Sequence, residues 1–391
     1  MTTQMKLHLA AAALFLIGLV SIGALACVRL YRMSGSALSA FGAGRSFSMH
    51  NSLGNTAYGR RDYSTAIQEY TAMVQERPEK MDGYFLRAMA EDKAHLYGAA
   101  IRDNTTVLAL LKTPQPYYYA TRSSGSHGLS SSRHGFFGSR PARSSHNDAA
   151  ADTYYNRGLA YQAQGNLSLA IADFSAQLAR LPDDYDGLES RMPAYYDNKQ
   201  YAQALADSNT LLRTHPQDQW AYCFRGKSEM SLGNYAAAFQ DLAAAVKIAP
   251  DYLTPYFVLA EMTDKTHQFL PTLALLQQGV VANPGNANLK GTQGWLQYEA
   301  GQLPAAIVTD KEALTEDGSM DWVLANLGLC YAVQEDAADA RKTYTQVLAQ
   351  NKPQERIAAR KDIEDALRRH PGSVVLQQSL QQFTEAEPQR P

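Results

Sequence analysis

Apolar side chains along this chain follow two patterns. From Leu9 to Val28 they are nearly continuous, with Ser21 the one clearly polar side chain. Twenty helical residues at 1.5 Å each cover about 30 Å, the thickness of a bilayer's hydrocarbon layer. Lys6 precedes the run, and Arg29 and Arg32 follow it. From Phe47 onward apolar residues come instead in short bursts at three- and four-residue spacing. That spacing predicts amphipathic helices through the rest of the chain.

The bursts repeat. Tyr154-Tyr155-Asn156-Arg157-Gly158-Leu159-Ala160-Tyr161 is followed by Gly165-Asn166, Ala170-Ile171, Phe174, Leu178 and Pro182, and the pattern returns every 34 residues. Counting from 151, 185, 219, 253, 287 and 321, position 8 reads Gly158, Met192, Gly226, Ala260, Gly294 and Gly328. Position 20 reads Ala170, Ala204, Ala238, Thr272, Ala306 and Ala340, and position 28 Leu178, Leu212, Val246, Val280, Leu314 and Leu348. Position 32 is Pro182, Pro216, Pro250 and Pro284, then Gly318 and Lys352. Two more units start at 47 and 81, with Gly54 and Ala88, Ala66 and Ala100, and Pro78. Such a period is the mark of stacked supersecondary units.

Each position has a physical reason. Small residues at 8 and 20 let two helices of a hairpin approach closely. Aromatic and aliphatic residues recurring at 4, 11, 24 and 28 form the buried seam. Gly or Asn after position 14 suits the left-handed end of a first helix, and proline at 32 stops the second. Pro193 falls inside a first helix and predicts a kink there.

These residues resemble the tetratricopeptide repeat family over Phe47 to Lys352. The resemblance implies an all-α fold: an α-α superhelix of helix pairs with a concave, peptide-binding inner face. One N-terminal transmembrane or signal helix precedes it. The expected organisation is a membrane segment at 1–33, two repeats at 47–113, a basic Ser/Gly/Arg insert at 114–150, six repeats at 151–352 and capping helices at 353–386. Two readings of the N-terminal segment stand: a retained signal anchor, or a signal peptide ending at Ala24-Leu25-Ala26 before Cys27. The signal-like layout places the body on the extracytoplasmic or periplasmic side, against the Arg29 and Arg32 bias, which points to the cytoplasm.

No Asp or Glu occurs from Asn104 to Asn147, a stretch that covers most of the insert and carries Lys112, Arg122, Arg133, Arg140 and Arg143. The insert reads as a solvated basic loop that could touch anionic lipid. The whole chain has net charge −2 and 45% apolar residues, so nucleic acid is not the expected partner. Cys27, Cys223 and Cys330 form no CxxC pair, and no HExxH, GxSxG or P-loop is present. No enzyme, metal or cofactor is therefore expected.

Two polar patterns remain. Position 7 is Arg87, Arg157, Arg191 and Arg225 in units two to five, and position 23 is Asp103, Asp173, Asp207 and Asp241 in the same units. Later units lose both members together, as in Leu259 with Leu275, Gln293 with Thr309 and Leu327 with Thr343. Joint loss predicts a structural ion pair between helices, within or between units.

In the family this chain resembles, first-helix positions 2, 5, 9, 12 and 13 line the inner face. Here they hold Phe85, Tyr155, Tyr196, Trp220, Phe257, Trp295, Tyr298 and Trp322. Beside them stand Asp152, Asp186, Glu189, Asp197, Glu261, Asp264 and Glu299. The expected partner contacts are Phe85, Tyr155, Tyr196, Trp220, Phe257, Glu261, Asp264, Trp295, Tyr298 and Trp322. Aromatics beside carboxylates suit a protein or peptide segment with apolar and basic side chains. The expectation is a membrane-tethered, non-catalytic interaction scaffold. Its alternative is an assembly or regulatory subunit of a membrane enzyme or export complex, acting through the N-terminal helix.

Overall fold

The computed structural model describes residues 47–112, 148–350 and 352–386. The segment at 1–33 expected to meet a membrane, and the insert up to residue 147, lie outside these. Among the described residues there are eighteen helices and no strand, and no helix is long and apolar enough to cross a membrane.

Four helices belong to a first compact body: α1 (Phe47–Gly59), α2 (Tyr63–Glu76), α3 (Met81–Lys93) and α4 (Tyr97–Leu110). The second body begins with the hairpins α5 (Ala149–Ala163) and α6 (Leu167–Arg180), α7 (Tyr185–Asp197) and α8 (Tyr201–Thr214), and α9 (Gln219–Ser231) and α10 (Tyr235–Ile248). It continues with α11 (Thr254–Thr266) and α12 (Phe269–Ala282), α13 (Ala287–Glu299) and α14 (Leu303–Glu316), and α15 (Asp321–Val333) and α16 (Ala337–Ala349). It ends with α17 (Pro353–Arg369) and α18 (Val374–Glu385). Among the described residues each body is an all-α array of repeated helix hairpins.

The 34-residue period appears in the backbone as well as in the side chains. One residue at position 15 of every repeat has positive φ: Arg61, His95, Gly165, Lys199, Gly233, His267, Gly301 and Glu335. This left-handed residue ends the first helix and turns the chain back onto it. Five of the eight are not glycine, so each accepts a steric cost of roughly 1 kcal/mol that the hairpin packing must offset. Starts of helices are fixed by side-chain caps. Asp148, Asp184, Asp218 and Asn286 each accept a backbone N–H two or three residues on, at 2.7–3.1 Å.

Inside each hairpin a small residue at position 8 faces a large one at position 24. A methyl group added at Gly158 would come within 2.7 Å of the Phe174 ring, and one at Gly54 within 2.5 Å of Tyr70. In the α7–α8 hairpin the sizes are exchanged: Met192 stands at position 8 and Ser208 at 24, with the hydroxyl 2.8 Å from the thioether. Volume is conserved across the pair, as close packing requires. Pro193, expected to kink its helix, lies inside a helix that runs unbroken from Tyr185 to Asp197. At the far end α18 covers the last repeat, with Phe383 edge-on to Tyr344 at 5.2 Å. A solenoid needs such an end, because its last repeat has no neighbour to bury its apolar face.

Candidate partner-binding face

The arginine–aspartate pattern resolves into a ladder. Arg87 holds Asp103 through Nε and Nη2 at 2.6 and 2.8 Å. Arg157 holds Asp173 at 2.7 and 2.8 Å, Arg191 holds Asp207 at 2.8 and 2.7 Å, and Arg225 holds Asp241 at 2.8 and 2.6 Å. Each pair links the two helices of one repeat. A third nitrogen, Nη1, reaches the second helix of the preceding repeat: Thr71 from Arg87, Ser175 from Arg191 and Asn209 from Arg225, at 2.9–3.2 Å. The ion pair is therefore within a unit and the bracing between units. Tyrosine rings lie 5.2–5.8 Å from the four guanidinium carbons, at Tyr84, Tyr154, Tyr195 and Tyr222. With its donors so engaged, the ladder is structural.

The first-helix face is different. On α11, Phe257, Glu261 and Asp264 follow one another at i, i+4 and i+7, so they share one side of the helix. All three are exposed, Phe257 by 36%. Glu261 pairs with Lys265 on its own helix at 3.3 Å. The Trp295 side chain of α13 lies beside the Asp264 carboxylate, and its ring lies 5.4 Å from Tyr298. Glu299 is next in sequence and takes the Arg369 guanidinium of α17 at 3.1 and 3.2 Å, while Arg369 Nη2 donates to the Tyr298 hydroxyl at 3.0 Å.

Negative charge accumulates here. Asp264 is raised above the ordinary carboxylate range, first by the partial desolvation of its carboxyl and then by Glu299 and Glu261. Asp362 of α17 is pushed up to about 6, first by burial, with Glu299 adding to it against Lys361 and Arg369. Two carboxyls on different helices thus feel the same Glu299 charge.

The structure brings together five of the ten expected contact residues: Phe257, Glu261, Asp264, Trp295 and Tyr298. Tyr298 is only 5% exposed, so its ring edge and hydroxyl act from within the wall. Tyr196 lies in another part of this body, packed on Tyr201 and Phe224 at 5.4 and 5.9 Å, with the Lys227 ammonium 4.1 Å from its ring centre. Trp220 stacks against Phe224 and Tyr252 at 4.8 and 6.0 Å. Trp322 lies over Gly291, where an added methyl would meet its ring at 2.6 Å. Tyr155 is buried beside Phe174, and Phe85 sits half-buried on α3 in the first body. Sequence reasoning missed Asp362, Lys227 and Arg369. The basic last turn of α17, Arg368 and Arg369, was the available signal for the last of these.

Among the described residues no group of three or more His, Cys, Asp or Glu is placed to hold a metal ion. Cys223 and Cys330 are both buried and unbonded, and burial pushes the Cys223 thiol up to about 11.

Family models described as tetratricopeptide repeat match residues 151–181 and 192–252. Human tetratricopeptide repeat protein 16 is 33% identical over 105 residues, which is 25% of this chain and 12% of that protein. Its counterpart from Macaca fascicularis is 32% identical over the same length. The match thus spans about an eighth of those relatives. Among solved structures, the C-terminal part of a TPR repeat-containing protein from Cytophaga hutchinsonii superposes with a TM-score of 0.52 at 15% identity, over 72% of this chain and 99% of that one. A tetratricopeptide repeat protein from Parabacteroides merdae aligns with a TM-score of 0.46 at 15% identity, over 78% and 98%. The family models identify tetratricopeptide repeats within residues 151–252, and the Cytophaga likeness agrees in fold.

Proposed function

We propose, for a chain built of tetratricopeptide repeats, that it is a membrane-tethered scaffold with no chemistry of its own. Such solenoids are typical of protein interaction scaffolds, and their partners are peptides or proteins. On our reading the partner is an extended or helical segment carrying apolar and basic side chains, held along the first-helix face of α11 and α13. The observation that carries this is the exposed Phe257 in line with Glu261 and Asp264, beside Trp295 and Glu299. An apolar anchor next to clustered carboxylates favours a cation flanked by hydrophobic groups.

A blocked dodecapeptide of alternating leucine and arginine is a suitable probe. It should bind the protein in calorimetric titration, and the double variant Glu261→Gln/Asp264→Asn should weaken it by roughly tenfold, about 1.4 kcal/mol. Unchanged affinity in the variant would remove this face from the reading.

The tether rests on the apolar run from Leu9 to Val28, and the basic insert adds a second contact with anionic lipid. The full chain should float with vesicles containing phosphatidylserine. At physiological salt, deleting residues 1–33 should abolish flotation, and deleting 123–145 should weaken it only at low salt. Flotation at physiological salt that survives loss of 1–33 would refute the tether.

A further inference from the structure

The Glu299 carboxylate, which the function proposed above offers to a partner's cation, is already held by the protein itself. Arg369, the last residue of α17, is seventy residues beyond Glu299 in sequence, yet both carboxylate oxygens of Glu299 accept from it. Its guanidinium carbon lies 5.3 Å from the centre of the Tyr298 ring. The helix between them, α15, carries Ala332 and Val333 where α13 carries Tyr298 and Glu299. With no hydroxyl or carboxylate there to hold it, the arginine reaches one repeat further.

A related contact, without the carboxylate, occurs one hairpin apart elsewhere in the body. Tyr196 stands at position 12 of its repeat, as Tyr298 does in its own, and it too is covered by a cation from a later first helix. Lys227 lies 4.1 Å from the Tyr196 ring centre and 4.6 Å from that of Phe224. Such contacts are attractive because the ring face is electron-rich. Between these two covered tyrosines lies α11, where position 12 is Asp264 and the side chains toward solvent are Phe257, Glu261 and Asp264.

We propose that Arg369 is an intramolecular stand-in, which holds in the free protein a seat that reads an arginine or lysine side chain of the bound segment. The proposal rests on the function proposed above. The groups facing Arg369 are Tyr298 and Glu299 of α13 and Asp362 of its own helix, with Lys361 the neighbouring cation and Asp264 of α11 across Glu299. When a partner's guanidinium takes Glu299 and Tyr298, Arg369 swings into solvent and retains Asp362 as its counter-charge. Removing Arg369 leaves Glu299, Asp264 and Asp362 short of one positive charge, so an external cation is drawn in more strongly. A seat that is free only part of the time lowers apparent affinity by that fraction.

The test titrates the blocked leucine–arginine dodecapeptide into the full chain and into Arg369→Ala and Arg369→Gln, the second of which keeps the side-chain stem. Thermal melting of both variants checks that α17 stays docked. The expected result is binding roughly five- to tenfold tighter in both variants, and a citrulline version of the peptide that loses the gain. Equal or weaker binding in both variants, with the wild type still binding, overturns the stand-in and leaves the proposed function untouched. Absence of binding to wild type and variants alike overturns the function reading, and this proposal with it.

Discussion

Replacing Asp310 by leucine is expected to raise the melting temperature by roughly 5–10 °C. Asp310 is fully buried, and neither carboxylate oxygen has a hydrogen-bond partner. It occupies position 24 of the α13–α14 hairpin, where Tyr70, Phe174, Leu242 and Tyr344 fill the space over Gly54, Gly158, Gly226 and Gly328 in other repeats. An unpaired buried carboxyl is costly when charged, and burial pushes this one up to about 8. The folded value lies above the unfolded one of about 3.9. Asp310 therefore costs nothing through ionisation below about pH 4, and its penalty grows as pH rises towards 8. At about 1.36 kcal/mol per pH step, the loss at pH 7 is on the order of 4 kcal/mol. Leucine removes the titrating group and packs on Gly294 as Leu242 packs on Gly226. Asp310→Asn removes the titration without improving the packing. Melting at pH 5 and pH 8 should show the wild type losing more stability between them than either variant. Parallel losses in all three proteins would mean that Asp310 does not titrate in the core.

The effect should stay local. In a stacked array each repeat contacts only its neighbours, so the weak α13–α14 hairpin lowers the cost of opening the segment from α13 to α18. That segment includes Trp295, Tyr298 and Glu299 on α13 and Arg369 on α17. Stabilising Asp310 thus tests whether the proposed binding face sits on the least stable part of the second body, readable as slower amide exchange in α13 and α14.

Much of the fold was legible because a repeat states the same packing problem many times. Gly158 against Phe174 is one instance of a rule restated at Gly54, Gly226 and Gly328, so the period survives individual exceptions. The exceptions are where local reading failed. Arg61, His95, Lys199, His267 and Glu335 carry no preference for positive φ; the hairpin's tertiary packing imposes it on them. Asp310 could have been noticed, since the register assigns it a seam position, but burial without a partner is a property of the folded environment. Tyr298 and Glu299 were placed on the first-helix face by their register. Their contact with Arg369 was out of reach, because α17 lies past the last 34-residue step and its longer helix follows no repeat position. Tyr155 shows the converse limit: a first-helix position does not by itself decide between an exposed face and the core.

The ladder gives the second large effect. Arg191→Met should destabilise the second body by about 3–5 kcal/mol, because it leaves Asp207 buried without its counter-charge. Asp207 is 5% exposed, and its carboxyl stays raised by burial even with Arg191 at 2.7 Å. Burial and pairing oppose each other on both partners, since Arg191 is lowered by its own burial yet raised overall by Asp207, so the pair is costly to break. The double variant Arg191→Met/Asp207→Leu should recover most of the loss, to within about 1–2 kcal/mol of wild type. The chain contains natural versions of that exchange, with Leu259 and Leu275 in one repeat and Leu327 and Thr343 in another. In the α13–α14 repeat the bracing alone survives, as Gln293 donates to Gln277 of the preceding repeat at 2.7 Å. Chemical denaturation of the two single variants and the double closes the cycle. A coupling below about 1 kcal/mol would class the ladder with solvent-screened surface pairs. A coupling near 3 kcal/mol would explain why both partners disappear together along the chain: a repeat that keeps only one of them carries a buried charge that nothing answers.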